Sequence, residues 1–542
     1  MHTIKCVLAT LLTGILVFGL SSCATHKRAE NESATSKAYY PDSIPEETRT
    51  RYGAQPAKPG EFNTEEYGRL TENEFLEATN HPLSTFSIDV DTASYGNVRR
   101  FINQGQLPPV DAVRIEELIN YFKYDYPEPD GDQPFSIVTE LAGCPWEPAH
   151  KLIHIGLQGK RIPLENAPSN NLVFLIDTSG SMDQPDKLPL LKSAFKLLTN
   201  QLRDQDRVAI VVYAGSAGLV LPSTSGGNRK AIDAAIDQLA AGGSTAGGAG
   251  IKLAYEVART NFITSANNRV ILATDGDFNV GVSSDGDLLR LIEQERESGV
   301  FLTVLGFGTG NIKDSKMELL ADKGNGNYAY VDTIQEARKV LVSELGGTLN
   351  TIAKDVKIQI EFNPATVHSY RLIGYENRLM RAEEFNDDKK DARELGAGHS
   401  VTALYEIVAS DVPKKLTTVD PLRYQSQDLK PEAFAGNELM TVKLRYKPPA
   451  SKESVLLAKS LMDEDLDIDS ASENTRFAAA VAEFGMLLRE SKFKGKSSFE
   501  RCLALARRSS GPDLEGYRAE FISLVERSAE LTGRTQRARL ER

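Results

Sequence analysis

The chain has 542 residues, several times the length of a typical domain of about 150 residues, so the sequence predicts more than one structural unit. Hydrophobic residues make up 41% and charged residues 25%, which excludes a wholly disordered, collagen-like or multi-spanning membrane protein. The formal net charge of −12 disfavours a nucleic-acid partner, because phosphate backbones are bound by basic surfaces.

The first 22 residues have the organisation of a secretory signal peptide. Lys5 precedes an apolar run without charge, Cys6–Leu20, and the sequence Leu-Ser-Ser-Cys ends at Cys23. This ending resembles a bacterial lipobox, which implies cleavage before Cys23 and its lipidation. Several acyl chains on one residue anchor a protein stably, so we expect a lipid-anchored protein of the bacterial cell envelope. Ala24 rather than Asp follows the cysteine, which by resemblance to enterobacterial lipoprotein sorting favours the outer membrane. The expected location is therefore the outer membrane or the periplasmic face.

Residues 23–80 are polar and lack a sustained apolar period, which predicts a flexible tether. Residues 81–165 are predicted to be an ordered extension of helices and strands. Cys144 and Cys502 leave open whether the protein has one disulfide or two thiols. The predicted strands of the extension are Phe86–Val90, Phe135–Leu141 and Lys151–Leu157, the last two as a hairpin, with helices before Gln104 and after Pro109.

Residues 166–350 change to short strands, rich in Val, Ile and Leu, that alternate with amphipathic helices. This alternation predicts an α/β fold with a doubly wound, mostly parallel sheet of Rossmann-like topology. The predicted strands are Leu172–Ile176, Val208–Tyr213, Val270–Ala273, Phe301–Leu305 and Tyr328–Val331.

Residues 351–450 are predicted to form an antiparallel β domain, and residues 451–542 a carboxy-terminal helical region. A capping box formed by Ser470 and Glu473 is predicted to begin the first helix of that region. Strands lie on both sides of the α/β unit, so we expect them to form one discontinuous sandwich into which that unit is inserted. The predicted strands after the α/β unit are Val356–Phe362, Tyr370–Gly374, Ser400–Val408 and Glu438–Tyr446.

Five oxygen-bearing side chains are predicted at the same edge of the α/β sheet. Asp177, Ser179 and Ser181 follow directly after its first strand, where ligands bind in open α/β sheets. Thr245 follows two glycines before a helix, and Asp275 follows another strand. Carboxylates and hydroxyls are ligands that suit Mg²⁺. For the first string alone, a helix N-cap by either serine is an equal alternative.

In this order and on these elements, the five residues resemble the metal-ion-dependent adhesion site of von Willebrand factor type A (VWA) domains. The resemblance implies that they bind a divalent cation directly or through water, with Mg²⁺ expected and Mn²⁺ or Ca²⁺ as alternatives. It also implies that a protein partner completes the coordination with an Asp or Glu carboxylate. Asp277 and Asn279 lie beside the site in sequence and are candidates either for groups behind the metal ligands or for turn residues.

The flanking segments extend the resemblance beyond the α/β unit. STFSIDVDTASYGNVRRFI, at 84–102, and AKDVKIQIEFNP, at 353–364, resemble a family of bacterial VWA lipoproteins. Members of that family carry an amino-terminal extension and a dedicated carboxy-terminal domain. The leading hypothesis is therefore a lipid-anchored, non-enzymatic protein that binds a protein partner through a metal ion.

Two other functions remain open. One is an accessory subunit of an envelope assembly or metal-insertion system. The other is a serine hydrolase with Ser179 or Ser181 as nucleophile, which is disfavoured because none of the 7 histidines lies within residues 166–350.

Three further motifs are interpreted as structural. The glycine-rich stretch around Thr245 lacks the lysine of a phosphate-binding loop. Gly306-x-Gly308-x-Gly310 lacks the final glycine of a dinucleotide-binding motif. Asp89-x-Asp91 is predicted to have a turn or cap role rather than to bind a second cation.

Overall fold

The computed structural model describes residues 64–244, 247–276, 285–411, 429–463 and 466–540. The predicted signal peptide and Cys23 lie outside these residues. The described strands form three sheets, two of which combine segments from both ends of the chain. Within the described ranges, no helix has both the length and the apolar character needed to cross a bilayer.

Residues 64–80 belong to the folded structure, although the sequence predicts them to be part of a flexible tether. Thr64 donates its backbone N–H to the Gly310 carbonyl at 2.8 Å, and Glu65 forms an ion pair with Arg100 at 2.9 Å. The predicted tether therefore extends too far along the chain. Residues 64–80 are held by backbone hydrogen bonds and ion pairs, which do not require an apolar period in the sequence. The elements of this segment are β1 (Leu76–Glu77), β2 (Leu83–Ser87), α1 (Ala93–Asn103), α2 (Ile115–Asn120), β3 (Phe135–Gly143) and β4 (Lys151–Gly159).

The central segment forms the predicted α/β sheet. Its elements are β5 (Asn170–Asp177), α3 (Leu188–Thr199), β6 (Arg207–Tyr213), β7 (Ala217–Ser225), α4 (Arg229–Asp237), α5 (Gly247–Thr260), β8 (Asn267–Thr274), α6 (Asp285–Glu297), β9 (Val300–Phe307), α7 (Asp314–Lys323), β10 (Tyr328–Val331), α8 (Ile334–Arg338) and α9 (Leu345–Leu349). The strand order is β10-β9-β8-β5-β6-β7, and every neighbouring pair is parallel except β6 and β7. Strand β7 is absent from the prediction because it is an exposed edge strand without a regular apolar pattern.

Helices cover both faces of this sheet, so its central strand is buried on both sides. All eight residues of β5 are buried, with Phe174 in the apolar cluster on one face and Leu175 in the cluster on the other. A strand in this position requires a continuous apolar sequence, which is why the prediction from sequence succeeds here.

The carboxy-terminal segment has more strand than the sequence predicts. Its elements are β11 (Thr351–Phe362), β12 (Val367–Ile373), β13 (Leu379–Met380), β14 (Leu395–Gly396), β15 (Ser400–Ala409), β16 (Glu438–Lys447), β17 (Val455–Met462), α10 (Glu473–Leu488), α11 (Phe499–Arg508) and α12 (Tyr517–Leu540). The helical region predicted from residue 451 begins only at Glu473, because β17 first pairs with β16 as an edge strand.

The helix cap predicted at Ser470 is also displaced. Ser470 ends a short 3₁₀ turn, and Ser472 is the N-cap of α10, whose hydroxyl accepts the Thr475 N–H at 3.2 Å. The Glu140 carboxylate accepts the Ser472 N–H at 2.7 Å and fixes the cap there. The partner that selects the cap is therefore distant in sequence.

The two remaining sheets confirm the expected discontinuous sandwich. Their strand orders are β1-β12-β15-β4-β3 and β13-β2-β11-β16-β17, so each combines strands from before and after the α/β unit. They share one apolar core that includes Phe86, Ile155, Ile358 and Tyr405. The division into separate domains at 81–165 and 351–450 is therefore wrong, since these segments form one body.

A second apolar cluster joins α1 and α2 to the carboxy-terminal helices. The ring of Phe477 lies 4.9 Å from that of Phe122 and 5.6 Å from that of Phe521. Cys144 and Cys502 are both buried free thiols in this cluster, which settles the open question of a disulfide.

The burial of His154 makes the stability of the folded protein depend on pH. Its Nε2 lies 2.6 Å from the Tyr126 hydroxyl, and burial lowers the pKa of His154 to about 4. A lowered pKa in the folded state contributes stability that is present above the unfolded value of about 6.5 and is lost as the pH falls towards 4. We expect His154→Gln to remove about 2.5 kcal/mol of the difference in unfolding free energy between pH 7.5 and 4.5. Urea unfolding of both proteins at the two pH values measures it, and equal pH dependence would contradict it.

Candidate metal centre

Asp177 lies at the end of β5 with its side chain fully buried. Its Oδ1 accepts the Ser179 backbone N–H at 2.9 Å, and its Oδ2 accepts the hydroxyls of Tyr213 at 3.2 Å and Thr274 at 3.3 Å. Burial raises the pKa of Asp177 to about 6, hydrogen bonds from Ser179 oppose the rise, and the charge of Asp275 adds to it. The carboxylate is therefore held in one orientation, in surroundings that favour a nearby positive charge.

The two predicted serines lie side by side at this edge. Ser179 Oγ and Ser181 Oγ are 3.0 Å apart. The short turn after Ser179 has no side-chain cap, and the N-cap of α3 is Lys187, so neither serine has the alternative capping role. Two adjacent ligands of octahedral Mg²⁺, each about 2.0–2.1 Å from the ion, lie about 3 Å apart. The separation of the hydroxyls therefore suits two positions on one ion.

Asp275 is also buried at this edge, directly after β8. Its Oδ2 accepts a hydrogen bond from Lys187 Nζ at 2.9 Å, and the two side chains are 0% and 3% exposed. A buried lysine is rare unless it has a partner, so this ion pair is a fixed part of the site. Lys187 belongs to the loop before α3, ten positions after Asp177.

Two backbone hydrogen bonds join the glycine-rich stretch to the serine loop. The Gly180 N–H donates to the Gly243 carbonyl at 3.1 Å, and the Gly242 N–H donates to the Thr178 carbonyl at 2.7 Å. The chain that leads to Thr245 therefore passes beside the serines. Thr245 itself lies outside the described residues, so its role as a ligand stays a prediction.

The structure adds three residues that the sequence analysis does not single out. Tyr213 and Thr274 end the strands on either side of β5, so the rule that parallel strands end at one edge would have found them. Lys187 has no such signal, because its position depends on the fold of a loop. Asp277 and Asn279 lie outside the described residues, and their roles also stay predictions.

The described donor groups fit a hard divalent cation. Asp177 and Asp275 offer carboxylate oxygens, and Ser179 and Ser181 offer hydroxyl oxygens, a set typical of Mg²⁺, Mn²⁺ or Ca²⁺. Asp275 is already paired with the ammonium group of Lys187, so a bound cation would share this carboxylate with the lysine. These residues could hold a divalent cation.

A second group of buried carboxylates is a network of ion pairs. Oxygens of Asp89, Glu117 and Glu318 lie within 4.8 Å of one another. Arg378 donates to Asp89 at 2.8 Å and to Glu318 at 2.7 Å, and Arg114 pairs with Glu117. Asp89 also accepts the Asp91 N–H at 2.9 Å, which agrees with the predicted turn role. Arginine thus supplies the positive charge of this group.

Family models match the chain in three segments. The model described as von Willebrand factor type A domain matches residues 171–342, which contain the candidate metal centre. A model described as von Willebrand factor matches residues 61–154. The model of the carboxy-terminal region of the uncharacterized protein YfbK matches residues 347–531.

Individual relatives agree with these matches. The chain is 46% identical to the uncharacterized protein YfbK of Escherichia coli over 477 residues, which cover 87% of this chain and 81% of that protein. It is 32% identical to an uncharacterized Synechocystis protein over 180 residues, 33% and 40% of the two chains. Among solved structures, a von Willebrand factor type A protein from Catenulispora acidiphila covers 73% of this chain and 91% of its own, with 18% identity and a TM-score of 0.39.

The backbone at Gly276, directly after Asp275, is tightly packed. Its φ is +98°, and an added Cβ would lie 2.6 Å from the Asn311 carbonyl oxygen and 2.8 Å from the Lys313 nitrogen. Gly105 also has a positive φ, +75°, but an added Cβ there meets nothing within 4 Å. We expect Gly105→Ala to cost about 1 kcal/mol from backbone strain and Gly276→Ala about 3 kcal/mol, because a clash is added. Equal losses in denaturant unfolding would contradict this packing.

Proposed function

We propose, since the chain belongs to the YfbK family of bacterial VWA-domain proteins, that it is a lipid-anchored envelope protein which binds a protein partner through Mg²⁺. The ligands proposed for the ion are Asp177, Ser179, Ser181, Thr245 and Asp275. The observation that carries the proposal is the meeting of two fully buried aspartates and two adjacent serine hydroxyls at the carboxyl edge of one sheet.

Bound Mg²⁺ would supply a Lewis-acid position that accepts one carboxylate of the partner. The chain's own residues hold the donors in place. Tyr213 and Thr274 direct one oxygen of Asp177, and the Ser179 N–H directs the other. Because these side chains are fixed before binding, little order is lost when a ligand arrives.

We propose a binding role and not an enzymatic one. Ser179 Oγ shares a hydrogen bond with Ser181 Oγ, an arrangement that suits paired ligands better than an activated nucleophile, which needs a general base. An accessory role in an envelope assembly is compatible with the same binding chemistry. The identity of the partners recovered through the metal decides between an adhesive and an assembly role.

Metal-dependent capture tests the proposed function. Envelope extracts are passed over the purified protein in Mg²⁺ or in chelator, with Asp177→Asn as the site variant. Asp206→Asn is the matched control, because Asp206 is equally buried but binds Asn170 and Arg203 at the amino-terminal end of the strands. We expect the wild type and the control to recover the same partners only in Mg²⁺, and Asp177→Asn to recover none. Recovery of the same proteins in chelator would refute a metal bridge.

Lipid anchoring is tested separately at Cys23. We expect the wild type to fractionate with membranes and Cys23→Ser to remain unlipidated and to appear in the soluble envelope fraction. Fractionation and mass spectrometry of the amino-terminal peptide measure the change. An unmodified amino-terminal peptide in the wild type would contradict the anchor.

A further inference from the structure

Lys187 gives the candidate metal centre a positive charge of its own. Its ammonium lies 2.9 Å from Asp275 Oδ2, and its side chain is 3% exposed. The ammonium is therefore close to the oxygens that an ion would use, and little water screens it. Its charge must influence what the site binds.

The position of Lys187 is built into the fold. Its aliphatic stem packs against Gly308, where an added Cβ would overlap Lys187 Cγ and Cε. Gly308 has a φ of +75°, and its carbonyl accepts the Tyr330 hydroxyl at 2.7 Å. Gly308, within the glycine motif at 306–310, thus makes room for a lysine beside Asp275.

The buried charges determine the net charge of the centre before and after an ion binds. Among the described residues at the centre, Asp177 and Asp275 carry two negative charges and Lys187 one positive charge, which leaves −1. A divalent cation changes this sum to +1, and one carboxylate from a partner returns it to zero. Without Lys187, the two aspartates alone would neutralise the ion, and the partner's carboxylate would add an unbalanced negative charge.

We infer that Lys187 prevents the protein's own carboxylates from fully neutralising the bound metal ion, so that Mg²⁺ and an acidic ligand bind cooperatively. This inference rests on the proposed metal-bridging function and adds a cause for its preference for carboxylates. Lys187 acts here as a residue that sets specificity without touching the partner. It weakens binding of the ion alone and strengthens binding of a carboxylate to the ion-loaded site.

The test measures Mg²⁺ binding to the full chain by calorimetry, with and without acetate as the carboxylate probe at constant ionic strength. Lys187→Met keeps the stem and removes the charge. Lys339→Met is the matched control, because Lys339 is equally buried and pairs with Glu344 away from the centre. We expect Lys187→Met to bind Mg²⁺ at least tenfold more tightly than the wild type. We also expect acetate to tighten Mg²⁺ binding in the wild type and in Lys339→Met, but much less in Lys187→Met.

The outcomes separate this inference from the function on which it rests. If the wild type binds Mg²⁺ and Asp177→Asn does not, the metal site stands. In that case, equal or weaker Mg²⁺ binding by Lys187→Met would overturn only the role of Lys187. If the wild type binds no Mg²⁺, both proposals fail. Lys187→Gln, measured in the same way after circular dichroism confirms folding, replaces the methionine variant if that variant does not fold.

Discussion

Burial of β5 on both faces of its sheet is the constraint on which the candidate metal centre depends. A strand packed from both sides cannot shift or rotate without opening two apolar clusters, so Asp177 at its end has one position. The neighbouring strands end at the same edge and add Tyr213 and Thr274 as fixed donors to the carboxylate. The same packing keeps water away from Asp177 and Asp275, and the chemistry of the site follows from that desolvation.

The VWA domain is joined to the sandwich and helices through buried ion pairs as well as apolar contacts. Arg99 of α1 binds Asp332 and Glu336 of the VWA domain, and it also contacts Glu520 of α12 at 3.2 Å. Arg378 joins the sandwich to α7 in a similar way. Buried charges need partners in exact positions, since an unpaired one costs several kcal/mol. These pairs therefore favour one arrangement of the joined parts.

Sequence alone predicts the parts of this protein that local patterns specify. The apolar run before Asp177 and the edge rule for parallel strands predict that Asp177, Ser179, Ser181 and Asp275 follow strands at one edge of the sheet. The strands on both sides of the VWA domain predict the sandwich. Edge strands such as β7 and β17 escape prediction because exposure removes their periodicity. Lys187 escapes it because its partner, Asp275, is 88 positions away and the contact passes through a loop. Residues 64–80 escape it because backbone hydrogen bonds, which leave no trace in composition, hold them in place.

Insertion of the VWA domain also affects the order in which the chain can fold. Strand β2 pairs with β11, and β4 pairs with β15, so neither sheet of the sandwich is complete until the ribosome has made the region after the VWA domain.

The VWA domain is contiguous and can fold first. The segments that flank this domain lie together in the complete structure, where a Cβ added at Gly159 would be 3.0 Å from Ile352 Cδ1. A folded VWA domain thus shortens the connection that the sandwich must close, which lowers the entropy cost of pairing distant strands. The domain that carries the candidate metal centre then also brings together the two segments that form the sandwich.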